Sequence, residues 1–240
     1  MKNILIPSTL EQDTLFAVKA AIKHTAGTHC TITLLLLNEA PDAESASYFL
    51  RNTRQALTTA QQNVLENCRL AIGTAGNCTL DIHNQYGLSA PLLKNLMEYL
   101  APKLIIIPAS YKQEKAKIHH YFLELAANSK IPMLHLTMDC EEQEFNKALY
   151  VENIEAPIAI SELQQHINGQ FNFKIVSHAT VGEKYPHELG EQLTEAISKN
   201  NIDLVIETRK SAKGGRKTQT STINEVLGLP VLSIYEDAVI

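Results

Sequence analysis

Glycine is scarce where an α/β protein with a phosphate site needs it. The chain holds ten glycines in 240 residues. Two junctions have the look of a strand running into a helix. The first reads Leu104-Ile-Ile-Ile-Pro-Ala-Ser-Tyr111 and has no glycine. The second reads Asp203-Leu-Val-Ile-Glu-Thr-Arg-Lys210 and continues to Ser221 with only Gly214 and Gly215, among cations. In an open α/β sheet such junctions are where ligands bind, because helix N-termini and strand carboxyl ends meet there. A phosphate cradle places glycines at the turn so that backbone N–H groups reach the anion. The first junction therefore excludes a glycine cradle. The second lacks the order Gly-x4-Gly-Lys-Ser/Thr of a Walker loop.

Other absences narrow the class further. The four cysteines (Cys30, Cys68, Cys78 and Cys140) show no CxxC spacing and read as small apolar side chains in a reducing compartment. Apolar runs such as Leu34–Leu37 and Leu104–Ile107 are too short to span a bilayer. Met1-Lys-Asn leads straight into Ile4-Leu-Ile6, a first strand rather than a leader. A formal charge of −5 gives no basic face for nucleic acid. There is no Gly-x-Ser-x-Gly elbow, no His-Glu-x-x-His and no Cys–His pair in a catalytic context. The expectation is a cytoplasmic protein that is not an enzyme, with no catalytic or metal-binding residues and no contact with membrane or nucleic acid.

What is present is an alternation of strands and helices. Hydrophobic residues make up 45% of the chain, ample for a core. Asn3–Pro7, Thr31–Leu37, Thr79–Asn84, Leu104–Ile107 and Met133–Leu136 read as strands. Between them, helices are expected at Thr14–Thr25 with Asp13 as N-cap, from about Pro41 to Ile72 with Gly73 and Gly76 ending it, at Ser89–Leu100, and at Phe122–Asn128. Crossover helices between strands argue a parallel, doubly wound sheet. The acidic stretch Asp139–Asn146 reads as a linker, and the pattern then restarts. Strands are expected at Ala148–Glu152, Phe173–Ser177, Leu204–Ile206 and Val231–Ile234, with helices at Ala159–Ile167, Pro186–Ser198 and Ser221–Leu227. Two domains are expected, 1–140 and 146–240, the second shorter by about one strand and one helix.

With these elements in place, the chain resembles a tandem universal stress protein. Lys2-Asn-Ile-Leu-Ile-Pro-Ser-Thr9 is similar to that family's first strand, and Gly87–Ile107 and Gly182–Ile206 resemble its third helix and fourth strand. The resemblance implies a Rossmann-like α/β fold with two tandem open parallel-sheet units and a 3-2-1-4-5 order in the first. It also implies a pseudo-dimer of the halves through Met133–Leu136 and Val231–Ile234. The family's ATP signature, Gly-x2-Gly-x9-Gly-Ser/Thr, falls on Pro108, Tyr111, Tyr121 and Phe122 in the first half and on Glu207, Lys210, Thr220 and Ser221 in the second. Only Ser221 matches. The family's Asp after the first strand is Thr9 in one half and Asn153 in the other. By the same resemblance the second strand lines the adenine, and its absence from the second half removes a wall of that pocket.

The residues support the loss of ATP binding. Pro108 removes a backbone donor, and Tyr111, Tyr121 and Phe122 bring bulk. Glu207, at the start of the second loop, sets a carboxylate against an incoming triphosphate. The best candidate site is the basic loop, with Lys210, Lys213, Gly214, Gly215, Arg216 and Ser221 as anion contacts. The plain alternative is a solvated loop kept in water by its charge. Adjacent His119 and His120 point about 100° apart on a helix and make a poor metal pair. His24 and His29 flank a helix end whose dipole suits imidazolium. Two functions lead: a non-catalytic stress-response or regulatory protein without family-type ATP binding, acting through protein contacts, or a nucleotide- or phosphometabolite-binding module using loop 210–218; an enzyme of the wider nucleotide-hydrolase and transferase fold group is a third, on fold analogy alone. No cofactor is expected, ATP being disfavoured. Partners are expected to be proteins, with a homodimer as an option.

Overall fold

Short continuous apolar runs become strands covered on both faces. The computed structural model describes residues 2–25, 27–40, 57–138, 145–153, 159–168, 171, 173–181, 186–209 and 227–236. In β1 (Lys2–Pro7), Ile4, Leu5 and Ile6 are fully buried, and β4 (Leu104–Ile107) buries all four residues. β2 (Cys30–Asn38) lies beside β1. β3 (Cys78–Tyr86) is an edge strand and alternates between half-buried and exposed positions. β5 (Met133–His135) is only three residues long. After the linker come β6 (Lys147–Asn153), β7 (Lys174–Val181), β8 (Leu204–Arg209) and β9 (Val231–Tyr235).

The helices are α1 (Asp13–Thr25), α2 (Thr59–Ala75), α3 (Ala90–Leu100), α4 (Ala109–Gln113), α5 (Lys117–Ala127), α6 (Ile160–Asn168) and α7 (Pro186–Asn200). Two differ from expectation. α2 begins at Thr59, where Thr58 and Gln61 form a reciprocal capping box; Pro41, Phe49 and Leu50 lie outside the described residues. It runs through Gly73 and ends at Gly76, whose φ of 71° is the left-handed cap that glycine adopts without strain. The helix expected from Phe122 starts at Lys117 and is preceded by the short α4. The helix expected at Ser221–Leu227 lies outside the described residues except for Leu227.

The described strands form one sheet in the order β3-β2-β1-β4-β5-β9-β8-β6-β7. Every pairing is parallel except β5–β9. The first half takes the 3-2-1-4-5 order. The expected last-strand contact is made as Met133↔Ser233, Leu134↔Leu232 and His135↔Val231. β7 lies beside β6, as β2 lies beside β1. That corrects the expected missing wall: the place next to the second half's first strand is filled, and β7 itself is the edge.

One apolar layer runs across both halves on the face carrying α1, α2 and α6, from Ile4 and Ile32 to Ile206 and Ile234. The opposite face has two separate clusters, one under α3 and α5 and one under α7. Arg209 closes the gap between them. Its guanidinium donates to the carbonyls of Ala127 (3.1 Å), Ser129 (3.0 Å), Ile131 and Ser233 (2.5 Å). Three of these belong to the carboxyl end of α5 and the segment leading to β5, so the second half grips a helix C-terminus of the first. A cation suits that end of the helix dipole. Burial lowers the Arg209 pKa to about 10, offset by Glu207 and Tyr235, so the charge persists at neutral pH.

Removing this buried guanidinium takes a charged donor away from each of four carbonyls. Arg209→Met is expected to destabilise the fold by about 3 kcal/mol or more. Arg209→Lys keeps the charge but not the planar fork, and should recover less than half of that loss. Urea unfolding of the three proteins checks this; equal midpoints would show that the joint does not rest on the guanidinium.

Candidate functional site

The first junction is assembled from the turn after β1 and the turn after β4, brought side by side by β1–β4 pairing. Ser8 fixes the first turn. Its hydroxyl accepts from the Leu10 N–H at 2.8 Å and bonds the Thr14 hydroxyl at 2.8 Å. Leu10 takes a φ of 62°, an uncommon conformation for leucine, and is buried. The Thr9 carbonyl accepts from the Gln61 side chain at 3.2 Å, while the Thr9 hydroxyl is buried without a partner among the described residues.

Asp13 lies next to these residues and decides the chemistry of the turn. It opens α1 as the sequence suggests, but its carboxylate reaches across to α4. It accepts from the Ser110 N–H at 2.7 Å and from the Ser110 hydroxyl at 2.6 Å. The backbone donor that an anion would use at this turn is thus held by the protein's own anion. The two residues are 97 positions apart, so no local spacing reveals the bond.

Behind this bond the turn is filled. Pro108 is the N-cap of α4 and makes no side-chain cap bond. Tyr111 is buried, edge-on to His119 at 4.9 Å and to Phe122 at 6.0 Å. Burial, with Glu114 nearby, drives the phenol pKa upward, and its hydroxyl has no partner among the described residues. Burial also lowers the His119 pKa, which keeps the ring neutral. Tyr121 is a correction: it is 38% exposed and fills nothing, while Phe122 points inward. At this turn a carboxylate holds the Ser110 donors and a buried tyrosine fills the space behind them.

The second junction starts later than expected. Glu207, Thr208 and Arg209 are strand residues of β8 rather than loop. Glu207 is half-buried opposite Ser233. Burial raises its pKa to about 7, against the opposing effects of the Ser233 hydroxyl and Arg209. Lys210, Lys213, Gly214, Gly215, Arg216, Thr220 and Ser221 lie outside the described residues.

One further pair escaped sequence reading. His178 Nε2 meets Glu152 Oε2 at 2.9 Å, and the His178 ring stacks on Tyr150 at 5.5 Å. The pair sits on neighbouring strands β6 and β7, 26 positions apart. His24 is the other correction. Burial and the Lys2 charge lower its pKa to about 4, so it is a neutral ring on Phe171 rather than an imidazolium at a helix end. No group of three or more potential metal ligands occurs among the described residues, and no described helix is long and apolar enough to cross a membrane.

These shifts set the pH response. His24 at about 4 and His135 at about 3 are neutral when folded but bind protons when unfolded below 6.5. Each therefore adds stability as pH rises toward 6.5. Glu207 acts in the opposite sense. Its folded pKa of about 7 lies above the ordinary 4.5, so its contribution is lost as pH climbs between those values. Urea unfolding should show stability rising from pH 4.5 to 6.5, because two histidines oppose one carboxyl. Glu207→Gln should be more stable relative to wild type at pH 8 than at pH 5; an equal difference at both would refute the assignment. For the Asp13–Ser110 bond, Asp13→Ala should cost about 2 kcal/mol, as expected for bonds to a charged group. A double-mutant cycle with Ser110→Ala should give a coupling of at least about 1 kcal/mol.

No family model matches the chain, and no curated protein matches it significantly. Solved structures do. A universal stress protein from Archaeoglobus fulgidus DSM 4304 superposes with a TM-score of 0.58 at 11% identity, over 98% of this chain and 97% of that one. A protein of the universal stress protein family from Burkholderia pseudomallei covers 56% of this chain and 95% of its own, at 16% identity and a TM-score of 0.39, too low to carry an argument. The chain has the α/β, Rossmann-like fold of a universal stress protein.

Proposed function

We propose that the protein is a non-catalytic stress-response or regulatory protein that does not bind ATP in the manner its fold would allow, and that it acts through protein contacts. The fold likeness supports the class, and one observation supports the loss of the nucleotide site. The Asp13 carboxylate occupies the Ser110 N–H and hydroxyl at the turn after β4. An incoming phosphate would have to displace a charge-assisted pair and would meet a second negative charge at contact distance. The buried Tyr111 behind it leaves no room for retreat. The domains 1–140 and 146–240 serve as two halves of one unit in this reading, because the edge strand of each covers the other.

Titration calorimetry with magnesium ATP tests the proposal. No saturable heat is expected up to millimolar nucleotide, for wild type or for Lys213→Glu. The competing reading assigns an anion site to Lys210, Lys213, Gly214, Gly215, Arg216 and Ser221. It forecasts saturable ATP binding that Lys213→Glu weakens at least tenfold, and that result would overturn the proposal. Binding in wild type that Asp13→Ala strengthens would place ATP at the first turn and overturn it equally.

A further inference from the structure

The β5–β9 joint has two faces, and they are built differently. Arg209 clasps one. Over the other lies a cavity of about 330 Å³. Its base is leucine: Leu134 and Leu232, register partners across the joint, with Leu204 beside them. α1 supplies one side through Ala20, Lys23 and His24, and Phe171 and Phe173 supply the other. The aromatic side is continuous, since His24 rests on Phe171 at 4.7 Å and Phe171 on Phe173 at 5.4 Å. The volume falls within the range of about 300–1,000 Å³ usual for small-molecule sites, and the mix of apolar lining with a few polar groups is theirs too.

Charge at the cavity has one sign. Lys23 is exposed at the last turn of α1 and forms no ion pair among the described residues. The charge of Lys2 also acts on His24. No aspartate or glutamate lines the cavity among the described residues. A neutral His24 supplies one donor and one acceptor without adding a charge. The cavity is also distinct from both junctions. Lys23 and His24 lie at the opposite end of α1 from Asp13, and Leu204 opens β8 whereas the second junction lies beyond its last residue.

We propose that this inter-half cavity binds a small amphipathic monoanion. A flat aromatic or short acyl body lies on the leucine base against the row of rings formed by His24, Phe171 and Phe173, and a carboxylate or sulfonate head meets Lys23. Such a ligand touches both halves at once, so its binding stabilises the joint. The inference stands apart from the reading of the nucleotide site and does not depend on it.

Two fluorescent probes test the proposal on the full chain: 1-anilinonaphthalene-8-sulfonate, and its neutral relative N-phenyl-1-naphthylamine. One saturable site per chain is expected for each, with a rise in melting temperature that marks binding to the folded state. Lys23→Glu should weaken the sulfonate at least tenfold and change the neutral probe less than twofold. Ala20→Phe, which fills the cavity from α1, should abolish both. Absence of saturable binding, a fall in melting temperature with probe, or a sulfonate affinity unchanged by Lys23→Glu would each overturn the proposal. Lys23 is exposed, so that variant carries the test even where Ala20→Phe does not fold.

Discussion

The grip of Arg209 on the carboxyl end of α5 is the interaction on which the two-half architecture depends. A parallel sheet of five strands ends in an open edge, and an apolar edge left open invites pairing with another chain. Here the edge is β5, which is only three residues long. β9 covers it with three residue pairs, too short a ladder to hold two halves in register by itself. The guanidinium adds four bonds to carbonyls, three of them from the first half. A rigid planar fork on a helix C-terminus fixes direction as well as distance, which a hydrophobic contact alone does not.

That constraint reaches into the candidate sites. For Arg209 to meet α5, β8 must continue as a strand through Glu207 and Thr208 to Arg209, and the second junction is displaced beyond Arg209. Glu207 is then no longer a loop carboxylate facing a ligand. It is a strand residue beside Ser233 and near the Arg209 charge, with a pKa raised by burial. The clasp also sets the electrostatics of β5. Lys112 and Arg209 add to the burial that lowers the His135 pKa to about 3, so no second cation forms in the joint.

Much of the fold was legible because it rests on local pattern. Apolar runs of four to six residues gave β1 and β4, and helical spacing gave α1 and α3. A Pro before a short apolar run marked both β5 and β9. Their pairing across the two halves came from the fold resemblance and the need to cover two edges. What could not be read depends on partners far along the chain. Asp13 looks like an ordinary helix start until Ser110 is placed beside it, and Arg209, between the expected strand and loop 210–218, has no visible role until α5 ends within its reach. Tyr121 and Phe122 show a finer limit. Adjacent helical residues point about 100° apart, so only one could face the core, and the choice rests on a helix phase set by a start at Lys117. The capping box at Thr58 and Gln61, by contrast, was a local signal within the expected long helix.

The two faces of the joint differ: one carries a clasp and the other an opening. A polar clasp of fixed geometry on one face holds the register, which frees the other face from needing perfect packing. The leucines there are buried, yet α1 and the phenylalanines leave a cavity above them. An open pocket of this kind keeps its shape only when other interactions hold its walls. Arg209 is such an interaction, fixed from the opposite side of the same strands. At the turn after β4 the chain has supplied its own anion and its own ring. The opening at the seam thus stands where the strands beneath it are held from the other face by the Arg209 clasp.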